Sequence, residues 1–258
     1  MIFEHILLFI PIALEPFPVS SSGNALLAAL LAYRLYGIEQ STIPFCLEYI
    51  AHGPIVLVVG AFFYKRWKIL LCHPWRARFI MGKMIMLVGV ADSITVLWYI
   101  VLFMVGKTFF PLWLGFMCTT GLLISLRYLV PRGDTHKHFI TACVLGMAQG
   151  CALLPGISRF GITFVAARWL GFSDKKSFEL SFLIEFPISC AATLLGSYVL
   201  IHTKEYYRLL NHESVLGIVI SSLVAWAGFY IVAYCIQRRS MWLFSIYTGL
   251  IALIALSI

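Results

Sequence analysis

The sequence predicts an all-α polytopic membrane protein: six transmembrane helices plus two re-entrant helix hairpins in an inverted-topology repeat. Three observations predict it. The 258 residues are 61% hydrophobic and only 12% charged, with mean hydropathy +0.94, more apolar surface than a soluble domain can bury. Six apolar runs are long enough to cross a bilayer, which takes about 20 residues. Two further apolar regions are each broken by a polar turn. These are Pro18-Val19-Ser20-Ser21-Ser22-Gly23 and Pro155-Gly156-Ile157-Ser158-Arg159-Phe160-Gly161. Broken helices at corresponding places in two repeats point to a binding site near the membrane midplane.

The elements follow in order. The first hairpin is expected over about 2–33, as a short helix in, a turn and a short helix out. Spans follow at about 43–64, 79–105 and 109–129. The second hairpin is expected over about 139–170, with spans at about 178–201, 215–236 and 242–258. Irregular backbone at that depth is tolerated only where protein or a wet cavity covers it. Corresponding elements lie roughly 133–137 residues apart, and Pro54-Ile55 answers Pro187-Ile188. The chain therefore reads as one membrane domain, 1–258, with repeat one about 1–130 and repeat two about 131–258. A hairpin returns to the side it entered and three spans change side, so the two halves run in opposite orientations.

Basic residues test this count. Lys65, Arg66, Lys68, Arg76, Arg78, Arg132, Lys137, Arg168, Lys175, Lys176, Arg238 and Arg239 fall on one side. Arg34, Lys107, Lys204 and Arg208 fall on the other. Twelve against four puts the first group in the cytoplasm and both termini outward. A crossing at 139–170 would put every later basic residue on the opposite side and turn the split into nine against seven, so the re-entrant reading is preferred. The net charge of +8 sits in these loops rather than on a basic face with interleaved aromatics, which argues against nucleic acid as a partner. The N-terminus lacks a basic n-region, so no cleaved signal peptide is expected. The seven cysteines have no metal-ligand spacing and read as small hydrophobes. Trp and Tyr read as interfacial anchors, and Asp92 as a polar helix–helix contact.

The two turns carry the chemistry. A charge at a helix centre costs roughly 2.5–3.5 kcal/mol on insertion scales, so Glu15 beside the first turn and Arg159 inside the second mark a functional site. The helices starting at Ser20–Gly23 and Ser158–Gly161 point free N–H groups and positive dipole ends into one cavity, which suits phosphate or carboxylate. Gly23, Gly156 and Gly161 allow close backbone approach. The Arg159 fork suits phosphate oxygens, and Glu15 offers a carboxylate for a divalent cation held against a phosphate. Structural alternatives stay open. Ser20, Ser21 and Ser22 can act as helix caps, and Arg159 can form an ion pair with Glu15 that joins the repeats.

These residues resemble the undecaprenyl-pyrophosphate phosphatase family, the bacitracin-resistance type of integral membrane enzyme. Its first motif, Glu-x-x-x-Glu-Phe-Leu-Pro-[Ile/Val]-Ser-Ser-[Thr/Ser]-Gly-His, is answered by Pro11 through Asn24. Its second, Gln-x-x-Ala-Leu-[Ile/Leu]-Pro-Gly-x-Ser-Arg-Ser-Gly-x-Thr, is answered by Gln149 through Thr163. Ser181-Phe182-Leu183 and Pro187 resemble the following Ser-Phe-Leu-Leu-x-x-Pro, and Phe244-Ser245-Ile246-Tyr247-Thr248-Gly249 loosely resembles a late Phe-x-x-Tyr-Arg region. The resemblance implies hydrolysis of undecaprenyl (polyprenyl) pyrophosphate in the bacterial inner membrane. That reaction recycles the lipid carrier of peptidoglycan synthesis and underlies bacitracin resistance. It also implies Glu15, Ser21 and Arg159 as catalytic residues, and Glu15 as ligand of a divalent cation, Mg or Ca. Ser20, Ser22, Gly23, Asn24, Gly156, Ser158 and Thr163 would bind substrate. The partners are then the polyprenyl lipid and the bilayer, with room for a homodimer.

Four positions depart from the pattern. Pro11 replaces a Glu, Asn24 the His, Phe160 a Ser, and Thr248 an Arg. Two proton-handling groups are thereby lost, and general acid–base help is worth about 10²–10⁴-fold. Glu48, His52 and Glu185 are candidates to compensate. Their alternative is a place near the membrane surfaces or, for Glu48 and His52 four residues apart, a mutual pair. The rival function is a polyprenyl-phosphate flippase without chemistry, since inverted repeats with broken helices are also a transporter architecture.

Overall fold

The computed structural model describes residues 2–37, 49, 51–72, 74–105, 110–130, 138–203 and 212–258. The described residues form ten α-helices and no strand: α1 (Ile2–Leu14), α2 (Ser21–Tyr36), α3 (His52–Cys72), α4 (Pro74–Val105), α5 (Leu112–Ser125), α6 (His138–Cys151), α7 (Arg159–Trp169), α8 (Asp174–Thr203), α9 (His212–Gln237) and α10 (Phe244–Leu256). Short 3₁₀ turns, Leu126–Tyr128 and Met241–Leu243, extend α5 and precede α10. Three segments are long and apolar enough to cross a membrane: Arg78–Val105, Asp174–His202 and His212–Gln237. They coincide with the expected spans at 79–105, 178–201 and 215–236. The other three expected spans are shorter apolar helices, His52–Lys65, Leu112–Tyr128 and Met241–Leu256. Residues 43–48 and 50 of the first of these lie outside the described residues.

Local chemistry sets the helix ends. Pro16 and Pro18 follow α1 directly. Proline has no N–H to continue a helix and pushes its predecessor toward extended backbone. Gly37 closes α2 at φ 68°, its N–H on Tyr33 O. Gly171 closes α7 at φ 87°, and Phe172 N–H reaches back to Ala167 O at 3.2 Å. Both are glycine-terminated left-handed caps, which an L side chain would strain.

Packing follows a regular pairing. α4 lies along α6, and α9 lies along α1. α5 packs on α10, α3 on α8, α1 on α2 and α6 on α7. The α4–α6 crossing is close: a Cβ on Gly146 would meet Ala91 O at 2.7 Å. The interior centres on phenylalanines. Phe160 of α7 lies 4.9 Å from Phe182 of α8, which lies 4.9 Å from Phe229 of α9. Phe62 of α3 stacks on Phe229 at 4.9 Å. Aromatic pairs at such spacing add about 0.5–1.5 kcal/mol each beyond area burial. Phe160 thus fills the core at the position where the family motif carries a serine. Large apolar side chains such as Leu97, Phe103, Leu223 and Ile231 face outward, as they would against lipid tails.

One polar cluster ties several helix ends together. Arg168, at the end of α7, pairs with Asp174 at 2.8 Å and donates to Phe172 O, with Leu129 O at 3.3 Å. Arg239, past α9, reaches the same Asp174 at 3.8 Å. The end of α7 therefore returns to the level at which α5 ends, only a short stretch before α6 begins. At another place on the molecule Arg34, near the end of α2, donates to Ser257 O at 2.9 Å.

Candidate active site

Each polar turn restarts a helix with a serine cap. Ser20 Oγ accepts from Gly23 N–H at 3.3 Å, and Ser158 Oγ accepts from Gly161 N–H at 3.1 Å. Such caps satisfy donors that the first helical turn leaves free. Ser20 holds φ 56°, ψ 82°, a left-handed conformation unusual for a residue with a Cβ. Asn24 braces that turn. Its Nδ2 donates to Val19 O at 2.7 Å and Ser20 O at 2.9 Å, and its Oδ1 accepts from Tyr247 O–H at 2.7 Å. The asparagine that replaces the motif histidine is thus committed to holding the turn.

The turns touch by backbone. A Cβ on Gly23 would lie 2.9 Å from Gly156 Cα, and Gly161 faces Pro18 Cβ at 3.5 Å. Gly115 of α5 completes the crossing, since a Cβ there would sit 1.9 Å from Pro155 O. Thr119, one turn further, bonds both sides of the second turn: it donates to Gly156 O at 3.0 Å and accepts from Ser158 N–H at 3.0 Å.

Where the turns meet, a small cleft is lined by Glu15, Phe17, Ser20, Ser21, Ser22, Ala152, Ile157, Ser158, Arg159 and Phe160. Ser21 and Arg159 are each the first residue of their helix, so both helix N-termini open into it. Ser21 Oγ donates to Glu15 Oε2. Arg159 Nη1 lies 3.9 Å from Glu15 Oε1 and 3.4 Å from Glu185 Oε1. His52, at the start of α3, interacts electrostatically with both Glu15 and Arg159.

The expected site residues therefore divide. Glu15, Ser20, Ser21, Ser22, Ser158 and Arg159 line the cleft. Gly23 and Gly156 form the crossing beneath it. Thr163 is buried, with Oγ1 2.9 Å from Arg159 O and 3.3 Å from Phe160 O, so it stiffens the first turn of α7 rather than facing the cleft. Of the three compensating candidates, Glu185 joins the Glu15–Arg159 pair at 3.4 Å from Arg159, His52 lies within electrostatic range of both members, and Glu48 lies outside the described residues. Asp92 of α4 meets Gln149 of α6, the polar helix–helix contact expected of it, while its Oδ1 is buried with no hydrogen-bond partner among the described residues. Sequence reasoning passed over Gly115, Thr119 and Tyr247. Tyr247 had a signal, lying in the loosely matched late motif. Thr119 and Gly115 had none, being ordinary residues of an apolar span.

The family described as bacitracin resistance protein BacA matches residues 11–254. A Borrelia hermsii protein named undecaprenyl-diphosphatase is 32% identical over 97% of this chain and 95% of its own length. One of the same name from Borrelia recurrentis is 28% identical over 90% and 89%. A third, from Alkalilimnicola ehrlichii, is 36% identical over 54% of this chain and 49% of its own. Two turns with the family's motifs meeting in one cleft, and a match across nearly the whole length, place this chain in the bacitracin-resistance protein BacA family.

Proposed function

We propose that this protein hydrolyses undecaprenyl pyrophosphate to undecaprenyl phosphate and inorganic phosphate. The observation that carries the reading is the Ser21–Glu15 hydrogen bond opposite Arg159, in a cleft between two helix N-termini. Serine is a weak nucleophile unless a base takes its proton, and Glu15 is in position to do so. The Ser21 oxygen attacks the terminal phosphorus, its proton passes to Glu15, and the bond from that phosphorus to the bridging oxygen breaks. Undecaprenyl phosphate departs. Water then hydrolyses the phosphoserine, releasing phosphate and restoring the Ser21 hydroxyl. Free N–H groups and the Arg159 fork stabilise the charge on the phosphoryl oxygens, the dominant contribution in reactions of this type.

The family resemblance implies a divalent cation, and Glu15 suits one. Its carboxylate opens on a cleft whose serine, backbone and Arg159 donors mark it for phosphate. Hard cations such as Mg²⁺ and Ca²⁺ take carboxylate and phosphate oxygens together. Bound there, the cation would neutralise charge on the departing phosphate.

Purified protein in detergent is expected to release phosphate from undecaprenyl pyrophosphate and to stop when a chelator is added. No release with any divalent cation, together with movement of labelled undecaprenyl phosphate across liposomes, would replace this reading with the flippase. The comparisons lend the flippase no support.

The same reading includes the finer architecture: two re-entrant hairpins in an inverted repeat, halves at about 1–130 and 131–258, in the bacterial inner membrane with both termini outward. Three features support it. The helix pairings α4–α6 and α9–α1, α1–α2 and α6–α7, and α9–α3 and α4–α8 exchange when each helix of the first half is swapped for its counterpart five places on. The α5–α10 and α3–α8 pairs map onto themselves. The Gly23–Gly156 contact is mirrored by Gly161–Pro18. Finally, Arg168 near the end of α7 reaches Leu129 O just past α5 at 3.3 Å, so the chain after the second turn comes back to the level at which α5 ends. Single cysteines at Arg34 and Ser173, labelled from each side of the membrane, are expected to react from outside and from the cytoplasm respectively. The reverse at either position would defeat the inverted topology.

A further inference from the structure

Glu185, buried behind the cleft and 3.4 Å from Arg159 Nη1, is the feature that the motifs do not explain. The side chain is only 4% exposed, and the helix places it between Ile184 and Phe186, with the buried Ser181 and Ser189 one turn to either side. Its Oε1 shares Arg159 with Glu15: Nη1 lies 3.4 Å from Glu185 Oε1 and 3.9 Å from Glu15 Oε1, which brings the two carboxyl groups to one guanidinium nitrogen. Its Oε2 is buried and has no hydrogen-bond partner. Two carboxylates face each other stably only with a proton or a metal ion between them, and an uncompensated buried charge is costly. Arg159 brings one positive charge to two negative ones, and an incoming pyrophosphate adds more negative charge. Position 11, where the family motif has its first glutamate, is proline here. Glu15 would otherwise be the lone carboxylate, and Mg²⁺ sites with phosphate substrates commonly use one or two. Among the described residues no group of three or more His, Cys, Asp or Glu side chains forms a ready-made metal site. A cation here would then depend on pyrophosphate oxygens to complete its shell.

We propose that Glu185 is the second carboxylate ligand of a divalent cation in this cleft, in place of the glutamate that Pro11 displaces. The inference rests on the phosphatase reading for its substrate, but its measurement does not depend on turnover. Mn²⁺ binding to purified protein in detergent is followed by electron paramagnetic resonance, with and without methylenebisphosphonate as a non-hydrolysable pyrophosphate.

Wild-type protein is expected to bind Mn²⁺, and more tightly when the bisphosphonate is present. Glu185→Gln is expected to weaken binding at least about tenfold, the scale on which even outer-shell groups affect metal sites. Glu185→Asp, which keeps the charge, is expected to keep part of the affinity and serves as the second probe if the Gln variant does not fold. Adding Pro11→Glu to Glu185→Gln is expected to restore part of it, by returning a carboxylate to the motif position. Unchanged Mn²⁺ affinity in Glu185→Gln overturns the proposal, and so does wild-type protein that binds no Mn²⁺ under either condition. If Glu185→Gln leaves Mn²⁺ affinity intact but shifts the pH profile of kcat, Glu185 holds a proton instead and the proposal is again overturned. Mn²⁺ binding that depends on Glu185 in a protein that releases no phosphate would support the cation site while ending the phosphatase reading. Turnover without any Mn²⁺ binding would do the opposite.

Discussion

Ser21→Ala is expected to lower turnover by at least about 10²–10⁴-fold, the range that general acid–base help alone supplies, because the nucleophile goes with it, and to leave the protein folded. Ser21 is the first residue of α2 and is only partly buried, and alanine is a good helix former. The substitution removes the hydrogen bond from Ser21 to Glu15. Glu15→Gln is expected to fall by a similar factor, because an amide holds the serine but cannot take its proton. Single-turnover phosphate release is the measurement, with a search for phosphoserine by mass spectrometry on a rapidly quenched reaction. If Ser21→Ala keeps more than a tenth of wild-type turnover, water attacks phosphorus directly and Glu15 is the base for that water.

Arg159→Lys is expected to reduce turnover by about 10²–10³-fold, the range found when one preorganised transition-state donor is removed, with little change in thermal stability. Lysine keeps the positive charge between Glu15 and Glu185 but loses the planar fork that meets phosphate oxygens in pairs. Arg159→Ala separates the two roles. It would leave two buried carboxylates without their cation, and breaking a buried pair costs about 3–5 kcal/mol. The arginine side chain is 23% exposed, so solvent reduces that figure here. The alanine variant is therefore expected to lose both turnover and Tm, and the lysine variant turnover alone. Full activity in Arg159→Lys would mean that a point charge suffices and would remove the fork from the mechanism.

Much of this was legible because the bilayer restricts what a sequence can do. A span must be long and apolar, so the helices at Arg78–Val105, Asp174–His202 and His212–Gln237 announce themselves by composition. The two turns were equally visible, since Pro, Gly and Ser runs inside apolar stretches have few other uses at that depth. Glu15 and Arg159 stood out because charges are rare there. The helix caps at Ser20 and Ser158 follow from local sequence alone, because a cap involves neighbours three residues away.

Span lengths were less legible, because hydropathy averages over the local turns at Pro111, Ser125 and Ser240, where helical segments start without a side-chain cap. The role of each departure from the motifs was also hidden. Asn24 and Phe160 read as losses of chemistry. In the folded protein one is held by Tyr247 from α10 and the other lies among the phenylalanines of α8 and α9. Thr119 clamps a turn that lies far from it in sequence.

What the sequence determined by itself was the membrane, the two turns and the family, since each rests on residues within a few positions of one another. What only the tertiary structure decided was company. Glu185 belongs to the Glu15–Arg159 pair rather than to a membrane surface, and Thr163 belongs to the frame of α7 rather than to the cleft. Both depend on which faces of α1, α7 and α8 meet. In a chain that is apolar all round, the helical period of the sequence carries little information about that choice.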